Sequence, residues 1–221
     1  MNWKEEYPRL FELFESSDRE CNDNYFSHMN DEKTRKYGKA SYMKWENILS
    51  QLDSVAFKHL VSKSKRNVTV CHKYRGWEQL FNCLNEAIGY IYLKEQEYNE
   101  IDFIDESNEE RPDLFAKSEK KSALLEVKTI RKSDIDVLRD RAWKSIDEIP
   151  EGLKSKIISD VNKAKSQFDS FGVEVNHKIC YIIISLDLAI DMNKTNRDKI
   201  NKFIDAIDNS GIEIVHELHT A

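Results

Sequence analysis

The hydrophobic positions of the first third of the chain recur at helical spacing. Trp3, Tyr7, Leu10, Phe11 and Phe14 form one stripe, and Trp45, Ile48, Leu49, Leu52 and Phe57 form another. The polar stretch 22–39 between them reads as a loop, and 68–71 is the one segment before residue 71 with any strand character. A further stripe of Trp77, Leu80, Phe81, Leu84, Ile88 and Ile91 predicts a helix over 77–92. The period then changes. Residues 114–116 and 124–130 are rich in branched and apolar side chains and flank the polar 117–122, which predicts two strands. Ile157, Val161, Ala164, Phe168 and Phe171 predict a helix over 153–171, with Gly172 where a helix stop belongs. The continuous apolar run 179–186 predicts a central strand, 196–208 a helix, and 212–216 a last strand. From residue 77 the order is helix, strand, strand, helix, strand, helix, strand. That order predicts an α/β domain with a mixed sheet, a hairpin first and crossover connections after it, over residues 71–221. Residues 1–70 are expected to form a helical N-terminal extension.

Composition narrows the class. The 221 residues are 40% hydrophobic, enough for a core, with only six glycines and three prolines. The glycines are too scattered for a phosphate-cradling loop, which argues against a P-loop NTPase or a dinucleotide enzyme. The apolar run at 180–185 is too short to span a bilayer, and the first residues, Met1-Asn-Trp-Lys-Glu-Glu, do not read as a secretory leader. Cysteines 21, 71, 83 and 180 form no CxxC, so reduced thiols in a cytoplasmic protein are expected, with no membrane partner.

The net charge of −6 conceals segregation. Residues 54–77 hold Lys58, Lys63, Lys65, Arg66, Lys73 and Arg75 with no acid, whereas 95–113 hold nine acids against Arg111 alone. Such a division can set a cationic face beside an anionic pocket.

The chemistry concentrates in the predicted hairpin. Pro112-Asp113 precedes its first strand, and Glu126-Val127-Lys128 lies within the second. Residues i and i+2 share one face of a strand, so Glu126 and Lys128 point the same way. A turn centred between Glu119 and Lys120 pairs residues whose numbers sum to 239, which sets Asp113 opposite Glu126. Two facing carboxylates repel unless a cation lies between them, and their oxygens suit a hard divalent ion. With a lysine beside them, these are parts that phosphodiester cleavage uses.

Pro112, Asp113, Glu126 and Lys128 together resemble the motif of the PD-(D/E)xK nuclease superfamily. Their spacing is most similar to Holliday-junction resolvases and some restriction enzymes, and the resemblance covers about residues 77–215. It implies a restriction endonuclease-like core and a Mg²⁺-dependent endonuclease, with Mn²⁺ as a substitute, that acts on nucleic acid, DNA favoured over RNA, and leaves a 5′-phosphate. On this resemblance Asp113, Glu126 and the Val127 carbonyl hold the metal, and Lys128 positions the attacking water. An acid of the preceding helix is expected to join them. Glu78 borders that helix's apolar stripe while Glu86 lies opposite it, so Glu78 is the expected one and Glu86 is expected to face water. A Gln or Lys of the following helix is implied near the phosphate, which selects Lys163 and Gln167. The basic residues of 54–77 are expected to hold the nucleic-acid backbone. Asp102, Asp105 and Glu106 read as a solvated loop. The resemblance admits a homodimer, with no dimer face legible. Two other readings fit the same residues: a module of this fold that binds nucleic acid without cutting, and a partner-binding scaffold whose motif is accidental.

Overall fold

A computed structural model describes residues 3–21, 23–72, 76–105, 110–130, 149, 151–186 and 194–220. The chain divides into two compact units, 1–96 and 97–221. The division falls after the helix that the sequence grouped with the sheet, so the first unit is longer than the expected extension of 1–70.

The first unit is helical. It contains α1 (Trp3–Glu6), α2 (Pro8–Ser16), α3 (Glu32–Leu49), α4 (Ser54–Ser64) and α5 (Glu78–Glu95). Its core draws on all three predicted stripes, with Trp3, Tyr7, Leu10, Leu13, Trp45, Leu49, Phe57, Leu60, Leu80 and Leu84 all buried. Two acids act as helix caps. The Glu46 carboxylate accepts from the backbone N–H groups of Arg9 and Leu10 at 3.0–3.1 Å, at the start of α2. Asp53 accepts from Val55 and Ala56 at 2.8 and 2.9 Å at the start of α4, and from the Tyr90 hydroxyl at 2.9 Å. These bonds hold the Asp53 carboxyl below its ordinary pKa, the Ala56 N–H contributing most.

Three expectations are corrected in this unit. Residues 32–39 are helix rather than loop, because α3 buries only one face and its opening turns are polar. Residues 67–69 form a turn of 3₁₀-helix instead of a strand. Glu86 does not face water: α5 is buried around most of its circumference, including Cys83, Asn85, Ala87 and Gly89, and Glu86 is 6% exposed. Its carboxylate pairs with Lys63 of α4 at 2.8 Å. Removing the ammonium takes an opposite charge away from a buried carboxylate, so Lys63→Ala is expected to lower stability by about 3 kcal/mol. Lys65→Ala, at an exposed site, is expected to cost no more than about 0.5 kcal/mol. Urea melts of the two variants check the difference.

The second unit is a mixed α/β domain. Its five strands are β1 (Glu100–Phe103), β2 (Leu114–Lys117), β3 (Ser122–Ile130), β4 (His177–Leu186) and β5 (Glu213–Thr220), in the spatial order 1-2-3-4-5. The first three run antiparallel; β3, β4 and β5 run parallel, which needs crossovers. Helices α6 (Glu151–Phe171) and α7 (Lys194–Asp205) precede β4 and β5. Both pack on one sheet face, where Leu124, Ile130, Cys180, Ile182 and Ile184 meet Ile157, Val161, Ala164, Phe168, Ile200 and Ile204. α6 stops at the expected residue, with Gly172 in the left-handed region at φ 69°. β1 is an addition: it lies within the acidic stretch expected to be a loop and places Asp102 on a strand.

Candidate metal-binding hairpin

The β2–β3 hairpin has the predicted register. Leu114 faces Leu125, Phe115 faces Leu124, Ala116 faces Ala123 and Lys117 faces Ser122, each pair summing to 239. The ladder ends one residue short of Asp113, which brackets Glu126 instead. Its N–H donates to the Leu125 carbonyl at 3.1 Å, and its Oδ2 accepts from the Val127 N–H at 2.8 Å. The same alternation that turns the Leu125 carbonyl toward Asp113 brings the Val127 carbonyl to that edge of β3.

Glu126 and Lys128 share one face, as the strand period requires. Glu126 is 5% exposed, and its Oε1 accepts from Lys128 Nζ at 2.6 Å. Its Oε2 is buried with no hydrogen-bond partner. Burial, then the nearby Asp113 carboxylate, pushes the Glu126 carboxyl from its ordinary 4.5 up to about 8, against the pull of Lys128.

Gln167 of α6 completes the arrangement. Buried at 6% exposure, it accepts from Lys128 Nζ at 2.8 Å and donates to the Arg111 carbonyl at 2.8 Å. One turn on, Ser170 donates to the Glu110 carbonyl at 3.0 Å. The helix thus fixes both the ammonium and the segment that leads into Asp113. An ammonium has three donors, and Glu126 and Gln167 take two of those on Lys128.

Gln167 was expected at a phosphate. Its amide is spent within the protein, so its observed work is to position Lys128. Lys163 pairs with Glu110 at 3.2 Å, with both side chains exposed. Of the basic stretch, Lys58, Lys65 and Arg66 are exposed, Lys63 is committed to Glu86, and Lys73 and Arg75 lie outside the described residues. Glu78 is half-buried at the start of α5, in the first unit. Among the described residues no group of three or more His, Cys, Asp or Glu comes together as a metal site, so the hairpin offers two carboxylates and a backbone carbonyl.

Sequence reasoning missed Cys180. The parallel register puts it beside Glu126 on β4, fully buried, and burial pushes its thiol up to about 12. A thiol held neutral there is packing for the site, not a nucleophile. It lies in an apolar run whose register against β3 no local pattern reports. No disulfide joins the four cysteines, and no helix among the described residues is long and apolar enough to cross a membrane.

No protein-family model matches the chain, and no curated protein sequence matches it.

Proposed function

We propose that the chain is a metal-dependent nuclease that hydrolyses phosphodiester bonds, with DNA the favoured substrate, on a restriction endonuclease-like core. The observation that carries this reading is the buried, unpartnered Oε2 of Glu126 beside the Asp113 carboxylate. A buried polar atom without a partner is costly, and a second carboxylate nearby raises the cost, so the pair is built for a cation. Asp113, Glu126 and the Val127 carbonyl would hold Mg²⁺ or Mn²⁺, all hard oxygen donors. Such an ion, when bound, polarises a phosphate oxygen and acidifies a water.

The protein's own part is positional. Gln167 and Glu126 fix the Lys128 ammonium from two sides, and its third N–H can orient a water for attack on phosphorus. The backbone bond from Val127 holds the Asp113 carboxylate, so neither acid must be ordered during the reaction.

The test is incubation of pure protein with supercoiled, linear, single-stranded and junction DNA and with RNA, in Mg²⁺, Mn²⁺ or EDTA. Cleavage is expected in either metal and none in EDTA. Undiminished cutting in EDTA, or no cutting of any substrate in metal, contradicts the proposal.

A further inference from the structure

From the exposed face of α3 we infer that the first unit binds single-stranded nucleic acid, with Tyr37 stacking on a base and Lys33, Lys36 and Lys44 on the phosphates. The inference rests on the nuclease reading for its biological sense and names the form of strand the protein takes.

The buried residues Tyr42, Trp45 and Leu49 define the inner face of α3. At about 100° per residue, Lys33, Lys36, Tyr37, Ala40 and Lys44 lie within about 70° of the opposite direction. Tyr37 is 93% exposed, so its ring takes almost no part in the fold. An amphipathic ring held clear of the core among ammonium groups is suited to a partner that carries both negative charge and flat apolar surface.

Negative charge in this unit lies mainly before α3, including Asp31 and Glu12 and Glu15 of α2, and is sparse along α3 and after it. From residue 33 to residue 76 the only acids are Glu46 and Asp53. Both are turned to helix caps inside the first unit. Glu32, just before, pairs with Lys36 at 3.4 Å, but their side chains are 71% and 75% exposed, so the pair is worth little and yields readily to a phosphate. A polyanion laid along α3 therefore meets lysines and a tyrosine. Single strands fit best, because their unstacked bases offer an aromatic face, whereas duplex bases are already stacked on one another.

The test uses the full chain in EDTA, where no cleavage competes, and fluorescence anisotropy with three labelled probes of equal length: oligo-dT, its abasic counterpart and a duplex. Oligo-dT should bind, and the abasic strand about tenfold more weakly. Tyr37→Ala should lose about tenfold on oligo-dT and nothing on the abasic strand. Replacing Lys33, Lys36 and Lys44 together by Ala should reduce the slope of log affinity against log salt by about 2, at about 0.7 per contact on a single strand. Wild-type affinity of Tyr37→Ala for oligo-dT, equal binding of the abasic strand, or no binding of oligo-dT would overturn the inference. A chain that binds in this way and never cuts retains it and loses the nuclease reading; a chain that cuts, with Tyr37→Ala binding unchanged, does the reverse.

Discussion

Replacing Lys128 by alanine is expected to lower the rate of cleavage by about 10²–10⁴-fold while leaving the protein folded and able to bind metal. The ammonium is held by two buried acceptors, Glu126 at 2.6 Å and Gln167 at 2.8 Å, in a place where mere solubility needs no charge. It is not a metal ligand, so its loss should leave Mn²⁺ affinity the same or higher, because a positive charge leaves the carboxylate pair. Gln167→Ala should act through Lys128. It releases the ammonium and the Arg111 carbonyl together, and a displaced group can cost about 100-fold. Single-turnover rates set against Mn²⁺ binding separate the roles. Wild-type rates in Lys128→Ala would remove that residue from the site. Unchanged kcat with raised KM in Gln167→Ala would return Gln167 to the phosphate contact that the sequence suggested.

The second large effect concerns stability. Glu126→Gln should abolish cleavage and yet make the metal-free protein more stable at alkaline pH. The folded chain raises the Glu126 carboxyl from 4.5 to about 8, so it binds this proton more tightly folded than unfolded. The resulting contribution is fully present below pH 4.5 and is lost as pH rises through about 8, at no more than about 1.4 kcal/mol per pH unit. Above that pH the fold must carry a buried carboxylate with one unpartnered oxygen. Glutamine keeps an acceptor for Lys128 and has nothing to ionise. Urea melts in EDTA at mildly acidic, neutral and alkaline pH should diverge, with the variant ahead by a few kcal/mol at the alkaline end. His216, which burial holds below its ordinary 6.5, adds stability above that pH that is lost as pH falls, and it cancels in the comparison. Parallel melts at all three pH values would show that Glu126 is not strained by its burial. Gaining stability by giving up a site is the expected trade for a group placed for function.

The hairpin shows what a sequence can specify. Its register followed from a turn between two residues, because in an antiparallel pair one fixed point determines every partner. The stop at Gly172 followed from glycine's access to positive φ. What escaped depended on distant parts of the chain. Lys128 and Gln167 are 39 residues apart and meet only because α6 crosses over to deliver β4. Lys63 and Glu86 are 23 apart. A position opposite the apolar stripe faces water only on a helix with one wet side, whereas α5 is buried nearly all round along its middle, where Glu86 lies. β1 was hidden by its length and charge. Ile101 and Phe103 do alternate with Glu100 and Asp102, but four residues within an acidic run give too short a period to read. The opening turns of α3 read as loop for the opposite reason: a helix that buries one narrow face shows little apolar pattern where that face has not yet begun.

The most direct measurement of the central claim, that Asp113 and Glu126 form a cation site, is calorimetric titration of Mn²⁺ into the full chain at neutral pH, in two buffers of different ionisation enthalpy. With its pKa at about 8, Glu126 is largely protonated there before the metal arrives. The account predicts one bound Mn²⁺ with uptake of a proton by the buffer, since ligands must deprotonate to bind. It predicts loss of that binding in Glu126→Gln. No Mn²⁺ binding by the wild-type chain, or equal affinity in the Glu126→Gln variant, would contradict it.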